Sequence, residues 1–141
     1  MDGSDTDRLE KSELNRAACH SSQEAEISEI LDRHPKIEAW ARNFGLGFSI
    51  PWFDDAQQSW REMDPDFVAR VKTNTGDHSL HLVIEFKGMR QGEPEEEAKR
   101  RYMEKWWCPA VSADGNYGRW KGVWIEDVSS AEQLIEAACK K

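Results

Sequence analysis

Hydrophobic residues recur at two spacings along this chain, and each spacing predicts a different element. In residues 22–34 the apolar positions are three and four residues apart, which predicts a helix that ends before the proline that follows. Residues 37–42 alternate between apolar and polar, which predicts a strand. The stretch FSIPW at 48–52 predicts a second strand at a sheet edge, because it contains a proline. The polar residues 53–64 predict a loop.

A predicted β-hairpin occupies the middle of the chain. FVARVK at 67–72 alternates apolar and basic residues, and LHLVIEFK at 80–87 is an apolar run. The polar stretch TNTGDH between them contains a glycine, which is typical of a turn that joins two antiparallel strands.

A helix, a loop and a strand are predicted after this hairpin. Glu95–Glu97 precede Lys99–Arg101, an order of charges that suits the helix dipole, and these residues predict a helix with a solvated charged face. WCPAVSADGNYG at 107–118 predicts a turn-rich loop, and RWKGVWIE at 119–126 predicts a strand.

The last segment, SSAEQLIEAACKK, predicts a closing helix, in which Ser129 and Glu132 have the spacing of a capping box. The order of helix, strands, helix, strand and helix predicts an α/β (α+β) fold with a central mixed β-sheet flanked by helices. Residues 1–20 contain few apolar residues and predict a flexible polar tail, so we assign the domain to residues 21–141.

Composition narrows the class of protein. A length of 141 residues fits one domain. The three cysteines, Cys19, Cys108 and Cys139, form no CxxC pair, which argues against a zinc site and favours reduced thiols. No apolar run is long enough to span a bilayer, and the polar N-terminus has no apolar signal core. We therefore expect a cytoplasmic protein with no membrane partner.

The net charge of −8 bears on nucleic-acid binding. Proteins that bind DNA by themselves usually have a positive surface, because Lys and Arg make the phosphate contacts. The acidic balance therefore argues against strong DNA binding by this chain alone. It leaves open a site whose carboxylates hold cations, because bound ions reverse the local charge.

Two charged residues lie at the end of the apolar run HLVIEFKG. Strand side chains alternate between faces, so Glu85 and Lys87 point to one side with Val83, while Ile84 and Phe86 point to the other. Burying a charge without a partner is costly, so this pair needs an explanation.

The predicted hairpin supplies a partner for Glu85. If the hairpin closes symmetrically about TNTGDH, Val68 lies opposite Val83 and Asp66 lies opposite Glu85. Opposed residues have Cβ atoms about 5 Å apart, and two carboxylates at that distance repel unless a cation lies between them or one is protonated. A slip of one residue would place the two acids on opposite faces.

Asp66, Glu85 and Lys87 together suit metal-dependent hydrolysis of a phosphodiester bond. Carboxylate oxygens suit Mg²⁺ or Mn²⁺, which keeps water ligands for the reaction. The lysine can orient the attacking water or stabilise the charge that builds on the phosphate. The alternative is a surface ion pair of Glu85 and Lys87, because acids and lysines are common and the pattern D…ExK is weak by itself.

Several stretches together resemble the PD-(D/E)XK nucleases. They are SSQEAEISEILDRHPKIEAWARN, LGFSIPW, DPDFVARV, LHLVIEFKG and WWCPAVSADGNYGRW, which span roughly residues 20–128. The combination is most similar to the C-terminal endonuclease domain of the restriction subunit of type III restriction enzymes. The chain departs from that pattern at Met63-Asp64, before the Pro-Asp pair, and at Ser112.

The resemblance implies a restriction-endonuclease-like core and a set of site residues. Asp66 and Glu85 would be metal ligands for Mg²⁺ (or Mn²⁺), the backbone carbonyl of Phe86 would complete the metal site, and Lys87 would be the catalytic lysine. It also implies a glutamate on the first helix near the metal. Glu24 is the candidate, and its alternative role is as the capping partner of Ser21.

The resemblance suggests two DNA-binding candidates as well. Lys99 lies on the second helix, where related nucleases place a polar residue facing the site, although an ion pair with Glu95 is its simpler role. Arg119 would touch a DNA phosphate or brace the Gly115–Gly118 loop.

The implied partners are DNA and, in a restriction–modification system, helicase and methyltransferase subunits. The chain has no GxxxxGK[ST] loop, so the ATP-driven motor of the restriction subunit is lacking. We therefore expect an excised domain, a truncated product or a small stand-alone relative. Two functions follow as hypotheses: a Mg²⁺-dependent DNA endonuclease domain, or a non-catalytic nuclease-fold module that mediates interaction or DNA binding within a larger complex.

Overall fold

The structure, a computed structural model, describes residues 22–43, 47–73, 79–87 and 93–140. In chain order its elements are α1 (Ser22–Arg33), β1 (Ile37–Arg42), β2 (Ile50–Asp54), β3 (Ser59–Met63), β4 (Phe67–Val71), β5 (Leu80–Phe86), α2 (Pro94–Arg101), α3 (Cys108–Asp114), β6 (Arg119–Ile125) and α4 (Ala131–Ala138). A π-helical segment, Tyr102–Trp107, joins α2 to α3, and a 3₁₀ turn, Val128–Ser130, precedes α4. The tail predicted for residues 1–20 and the hairpin residues 74–78 lie outside the described residues.

A mixed four-stranded sheet in the order β1-β4-β5-β6 organises the fold. β4 pairs antiparallel with β1 and with β5, whereas β5 and β6 are parallel. The hairpin β4–β5 is the one predicted from the sequence, and the predicted strands at 37–42 and 119–126 are its neighbours in the sheet. The central mixed sheet flanked by helices is therefore confirmed.

Each face of the sheet buries its own hydrophobic core. On one face, Ile27 and Leu31 of α1 and Ile135 of α4 pack against Ile84. On the other face, Val83 packs in the second core with the β2–β3 hairpin and with the helical segment that follows α2, through the buried side chains Trp52, Met63 and Met103. The predicted alternation of β5 is confirmed, because Val83 and Ile84 belong to different cores. Within the described ranges, no helix has both the length and the apolar content that crossing a membrane requires.

The loop predicted for residues 53–64 is wrong. β3 runs from Ser59 to Met63 and pairs antiparallel with β2, so the strand predicted for FSIPW belongs to a separate two-stranded sheet. Of the five residues of β3, only Met63 is buried. A strand with so little burial shows little of the alternation by which strands are recognised in a sequence.

The loop predicted for WCPAVSADGNYG is also wrong, because Cys108–Asp114 form helix α3. Pro109 is the second residue of α3 and follows the π-helical segment Tyr102–Trp107, which continues the helical backbone from α2, so the proline removes one donor from a continuous helix. Gly115, with φ +83°, ends the helix in the left-handed conformation.

The capping box predicted from Ser129 and Glu132 is replaced by a different arrangement. Asp127 accepts a hydrogen bond from the backbone N–H of Ser129 at 3.0 Å, which starts the 3₁₀ turn before α4. The Ser130 hydroxyl donates back to the carbonyl oxygen of Asp127 at 2.8 Å. The helix itself is confirmed over Ala131–Ala138.

Gly118 is expected to be a sensitive position for stability. Its φ of +77° is left-handed, and an added Cβ would meet Ser79 Oγ and lie 3.0 Å from the Ser79 carbonyl oxygen. We expect Gly118→Ala to lower the free energy of unfolding by about 2–3 kcal/mol in a urea titration, through backbone strain and steric overlap. The control is Gly115→Ala, which has a φ of +83° and no atom within 4 Å of the added Cβ. That variant should cost only about 1 kcal/mol. Equal losses would contradict the role of the Ser79 contact.

Candidate functional site

The predicted acidic pair comes together where β4 begins and β5 ends. β4 pairs with β5 in the predicted register, with Val68 opposite Val83. Asp66 immediately precedes β4, and Glu85 is the last but one residue of β5. The register that the sequence analysis assumed is therefore confirmed for the two strands.

Two hydrogen bonds hold the carboxylates side by side. The backbone N–H of Asp66 donates to Glu85 Oε1 at 3.1 Å, and the backbone N–H of Phe86 donates to Asp66 Oδ2 at 2.8 Å. Each acid is thus fixed by the backbone of the opposite strand. Phe86 contributes to the site through its backbone, while its carbonyl as a metal ligand stays a prediction.

Lys87 lies against the acidic pair and is almost fully buried. Its Nζ donates to Glu85 Oε2 at 3.0 Å, and its side chain is 6% exposed. The same Nζ forms an ion pair with Glu96 and lies 5.2 Å from the centroid of the Trp124 ring. The predicted lysine therefore bridges a carboxylate at the end of β5 and one from α2.

Glu96 is a site residue that the sequence analysis missed. It was assigned to a solvated helix face, but it is 1% exposed, and Oε2 pairs with Lys99 Nζ at 3.2 Å. A signal was available, because Glu96 lies seven residues before the buried Met103 and so occupies the same helix face. Glu95 matches its prediction, since it pairs with Lys99 at 3.4 Å.

Arg42 is the second residue that the sequence analysis missed. Its Nη2 lies 2.6 Å from Glu24 Oε1, and its Nη1 lies 3.8 Å from Asp66 Oδ1. Arg42 is buried at the end of β1 and shares its strand face with Trp40, which is an apolar position. The candidate Glu24 is thus connected to Asp66 through a guanidinium group, and its predicted capping partner Ser21 lies outside the described residues.

The pKa values of the two acids are raised. Burial raises the pKa of Glu85 to about 8, the negative charge of Asp66 adds to the effect, and Lys87 offsets it only in part. Burial also raises the pKa of Asp66, although the Phe86 N–H and Arg42 favour its charged form. The positive charge around the pair is therefore too small to stabilise both carboxylates in their charged forms, and a proton or a cation would supply the missing charge.

The pKa values of Lys87 and Glu96, on the α2 side of the site, are shifted in the directions that favour their charged forms. Burial opposes the charge on Lys87, but Glu85 and Glu96 outweigh it, and the net result raises the pKa of Lys87. Burial likewise opposes charge on Glu96, but Lys87 and Lys99 outweigh it and lower the pKa of Glu96. Lys87 therefore stays protonated at neutral pH, as a residue that stabilises negative charge must be.

The two DNA-binding candidates lie in different places. Lys99 lies beside the site, because its Nζ pairs with Glu96. The same Nζ lies 5.6 Å from the centroid of the Trp52 ring. Arg119 pairs with Leu80 at the opposite end of β5 from Glu85. Leu80 and Glu85 are five positions apart along β5, or roughly 16 Å. The structure therefore does not bring Arg119 together with the acids.

The donor set fits an ion such as Mg²⁺, which keeps several water ligands, better than an ion that must be held entirely by protein ligands. No group of three or more His, Cys, Asp and Glu side chains is arranged to hold a metal in the described ranges. Mg²⁺ is commonly bound by one or two carboxylates and completes its shell with water. Asp66 and Glu85 provide two such carboxylates, and their raised pKa values indicate the electrostatic deficit that a divalent cation would fill.

No family model, curated protein or solved structure matches this chain.

Proposed function

We propose that this chain is a metal-dependent DNA nuclease with a restriction-endonuclease-like core, similar to the endonuclease domain of type III restriction enzymes. The observation that carries the proposal is the joining of Asp66 and Glu85 by reciprocal backbone hydrogen bonds, with Lys87 3.0 Å from Glu85. An ordinary surface ion pair would not require the side chains of Glu85 and Lys87 to be buried beside a partly buried Asp66. Their burial has a cost that a binding or catalytic role would explain.

The net charge of the cluster supports a cation site. Among side chains that are no more than 20% exposed, which leaves out Glu95, it contains four carboxylates and three cationic side chains: Glu24, Asp66, Glu85 and Glu96 against Arg42, Lys87 and Lys99. The formal excess is one negative charge. The raised pKa values place this excess at Asp66 and Glu85, where Mg²⁺ or Mn²⁺ would bind.

Each residue has a distinct part in the proposed reaction. Asp66 and Glu85 would hold the ion, which when bound polarises a phosphate oxygen and acidifies a water molecule. Lys87 is held beside Glu85 by Glu96 and carries a positive charge, so it stabilises negative charge that develops on the phosphate or orients the attacking water. Arg42 orients Asp66, and Glu24 in turn positions Arg42.

The net charge of −8 limits what this chain does alone. DNA binding by neutralisation of phosphates needs Lys and Arg, which are outnumbered here by 27 acids to 19 bases. The proposed nuclease therefore acts best with other domains or subunits, such as the helicase and methyltransferase components of a restriction–modification system, that hold the DNA.

Metal titration by calorimetry tests the proposal. We expect Mn²⁺ and Mg²⁺ to bind the wild-type chain with measurable heat, and Asp66→Asn to abolish that heat because one of two carboxylate ligands is lost. Asp54→Asn is the matched control, since Asp54 is another poorly exposed aspartate that accepts backbone hydrogen bonds, but it lies at the β2–β3 turn. Equal heat from wild type and Asp66→Asn would contradict the metal site.

The second candidate function is a non-catalytic interaction module. The observation in its favour is that Lys87 and Arg42 are already ion-paired to carboxylates of the same chain, as in a structural network. Plasmid nicking separates the two functions. Absence of nicking at high enzyme concentration with both Mg²⁺ and Mn²⁺, together with absence of binding heat, would favour the module.

A further inference from the structure

Four aromatic side chains form a continuous row on the surface formed by the β2–β3 hairpin and the π-helical segment. The row consists of Phe53, Trp60, Tyr102 and Trp106, with ring centroids 5.4, 5.7 and 6.4 Å apart in that order. Trp60 is 64% exposed and Trp106 is 63% exposed. The other five tryptophans of the chain are buried or packed against a core: Trp40, Trp52, Trp107, Trp120 and Trp124. Exposed rings of this size, in contact with one another, indicate an interaction surface.

Cationic side chains flank the aromatic row. The Arg101 guanidinium carbon lies 5.7 Å from the centroid of the Tyr102 ring, and Lys105 is exposed within the same helical segment. In the part of the chain that the structure describes, neither Arg101 nor Lys105 forms an ion pair. In contrast, the nearby Arg61 and Arg100 are paired with acids. Two available cations beside exposed rings are notable in a chain with a net charge of −8.

The row lies close to the candidate site along the same helix. Glu96 and Tyr102 are six residues apart, or about 9 Å along a helix axis. That distance corresponds to roughly three stacked base steps of a nucleic-acid strand. Lys99 lies on the inner side of the hairpin, where its Nζ contacts Glu96 and lies 5.6 Å from the centroid of the Trp52 ring, whereas Phe53 and Trp60 of the row lie on the other face of the hairpin.

We infer that unpaired nucleobases of the DNA substrate stack on Trp60 and Trp106, while Arg101 and Lys105 contact the backbone phosphates. The inference rests on the proposed nuclease function and defines its substrate class as DNA with a single-stranded segment beside the cleaved bond. Proteins that bind single strands combine stacking rings with cations that follow the phosphates. Arg101 and Lys105 form no ion pair among the described residues, so both are available to phosphates, which Lys and Arg contact in nucleic-acid complexes.

Oligonucleotide binding without divalent metal tests the inference. In EDTA, fluorescence anisotropy of a labelled 12-residue oligothymidylate should show binding by the wild-type chain that is tighter than binding of a 12-base-pair duplex. Trp60→Ala and Trp106→Ala should each weaken oligothymidylate binding by about tenfold, and the double variant should weaken it by more. Tyr117→Ala is the matched control, since Tyr117 is 63% exposed but lies in the loop before β6, and it should leave binding unchanged.

Three outcomes would overturn the inference. The first is a double variant that keeps the melting temperature of the wild-type protein and binds oligothymidylate as tightly as the wild type does. The second is equal or tighter binding of the duplex. The third is a dimer of the wild-type chain in sedimentation that the double variant loses, because a second copy would then cover the row. Since binding is measured in EDTA, failure of the nuclease proposal appears separately, as absent metal-dependent cleavage.

Discussion

Nicking of supercoiled plasmid in Mg²⁺ or Mn²⁺ is expected to fall by about 10²–10³-fold when Lys87 is replaced by alanine. Lys87 is the one cation in contact with Glu85 among the described residues, and Glu85 and Glu96 together keep it protonated. Removing its charge takes away the group that, in the proposed reaction, stabilises negative charge on the phosphate. The nicking rate at saturating metal measures the effect.

A second variant separates catalysis from folding. Lys87→Ala leaves two buried acids without their shared cation, which destabilises the fold as well. Lys87→Met keeps an unbranched side chain of similar length and removes the charge, so it should lose nicking while remaining folded by circular dichroism. Lys72→Ala, an exposed lysine after β4, should nick like the wild type. Full activity in a folded Lys87→Met would exclude a catalytic lysine at this position.

Replacing Glu85 by glutamine is expected to make the metal-free protein more stable at alkaline pH. Burial and the neighbouring Asp66 raise the pKa of Glu85 from 4.5 to about 8. The folded state therefore binds more protons than the unfolded state between these two values. The linkage relation then requires the free energy of unfolding to fall as pH rises from about 4.5 to about 8. At about 1.4 kcal/mol per pKa unit, the loss is on the order of a few kcal/mol.

Urea unfolding in EDTA at several pH values measures this dependence. Wild type should lose stability with rising pH, whereas Glu85→Gln should lose less and should be more stable than wild type at pH 9. Near pH 4 the two proteins should converge, because Glu85 is then protonated in both states. Asp66, whose pKa is also raised by burial, keeps a residual slope of the same sign in the variant. Identical slopes in the two proteins would contradict the assigned cause.

The expected loss of stability at Glu85 makes the acidic pair a functional candidate. A carboxylate that weakens the fold at neutral pH would be replaced if stability alone mattered, as by the amide in Glu85→Gln. Adding Mg²⁺ at pH 8 should restore the stability of wild type, since an ion that binds the folded state stabilises it. The glutamine variant should gain less, because it lacks one ligand.

Elements with a regular hydrophobic pattern were predictable from the sequence. The segments of α1, β1 and β5 show it, because their apolar residues face a core at helical or strand spacing. The two elements that were wrongly predicted as loops, β3 and α3, lack such a pattern. β3 buries one residue of five, and α3 contains a proline and ends at a glycine, both of which are also common in loops.

The residues of the candidate site likewise fall into those that the sequence predicted and those that it missed. Asp66, Glu85 and Lys87 follow from local rules, since strand alternation places Glu85 and Lys87 on one face and hairpin symmetry brings Asp66 beside them. For Glu96 and Arg42 the same rules gave only a weak signal, namely the helix face that Glu96 shares with Met103 and the strand face that Arg42 shares with Trp40. Their charges resemble those of exposed residues in sequence, and their burial arises only when α2 and α1 pack beside the strand ends.

The sequence by itself determined the strands of the four-stranded sheet, the hairpin register and the side of the sheet on which Glu85 and Lys87 lie, because a period of two and a closed turn depend only on neighbouring residues. Only the tertiary structure decided which charges neutralise them. Glu96 reaches Lys87 from a helix nine residues later in the chain, and Arg42 connects Asp66 to Glu24 of the first helix. Contacts between distant segments depend on how whole elements pack, and that information is absent from the local pattern of any one segment.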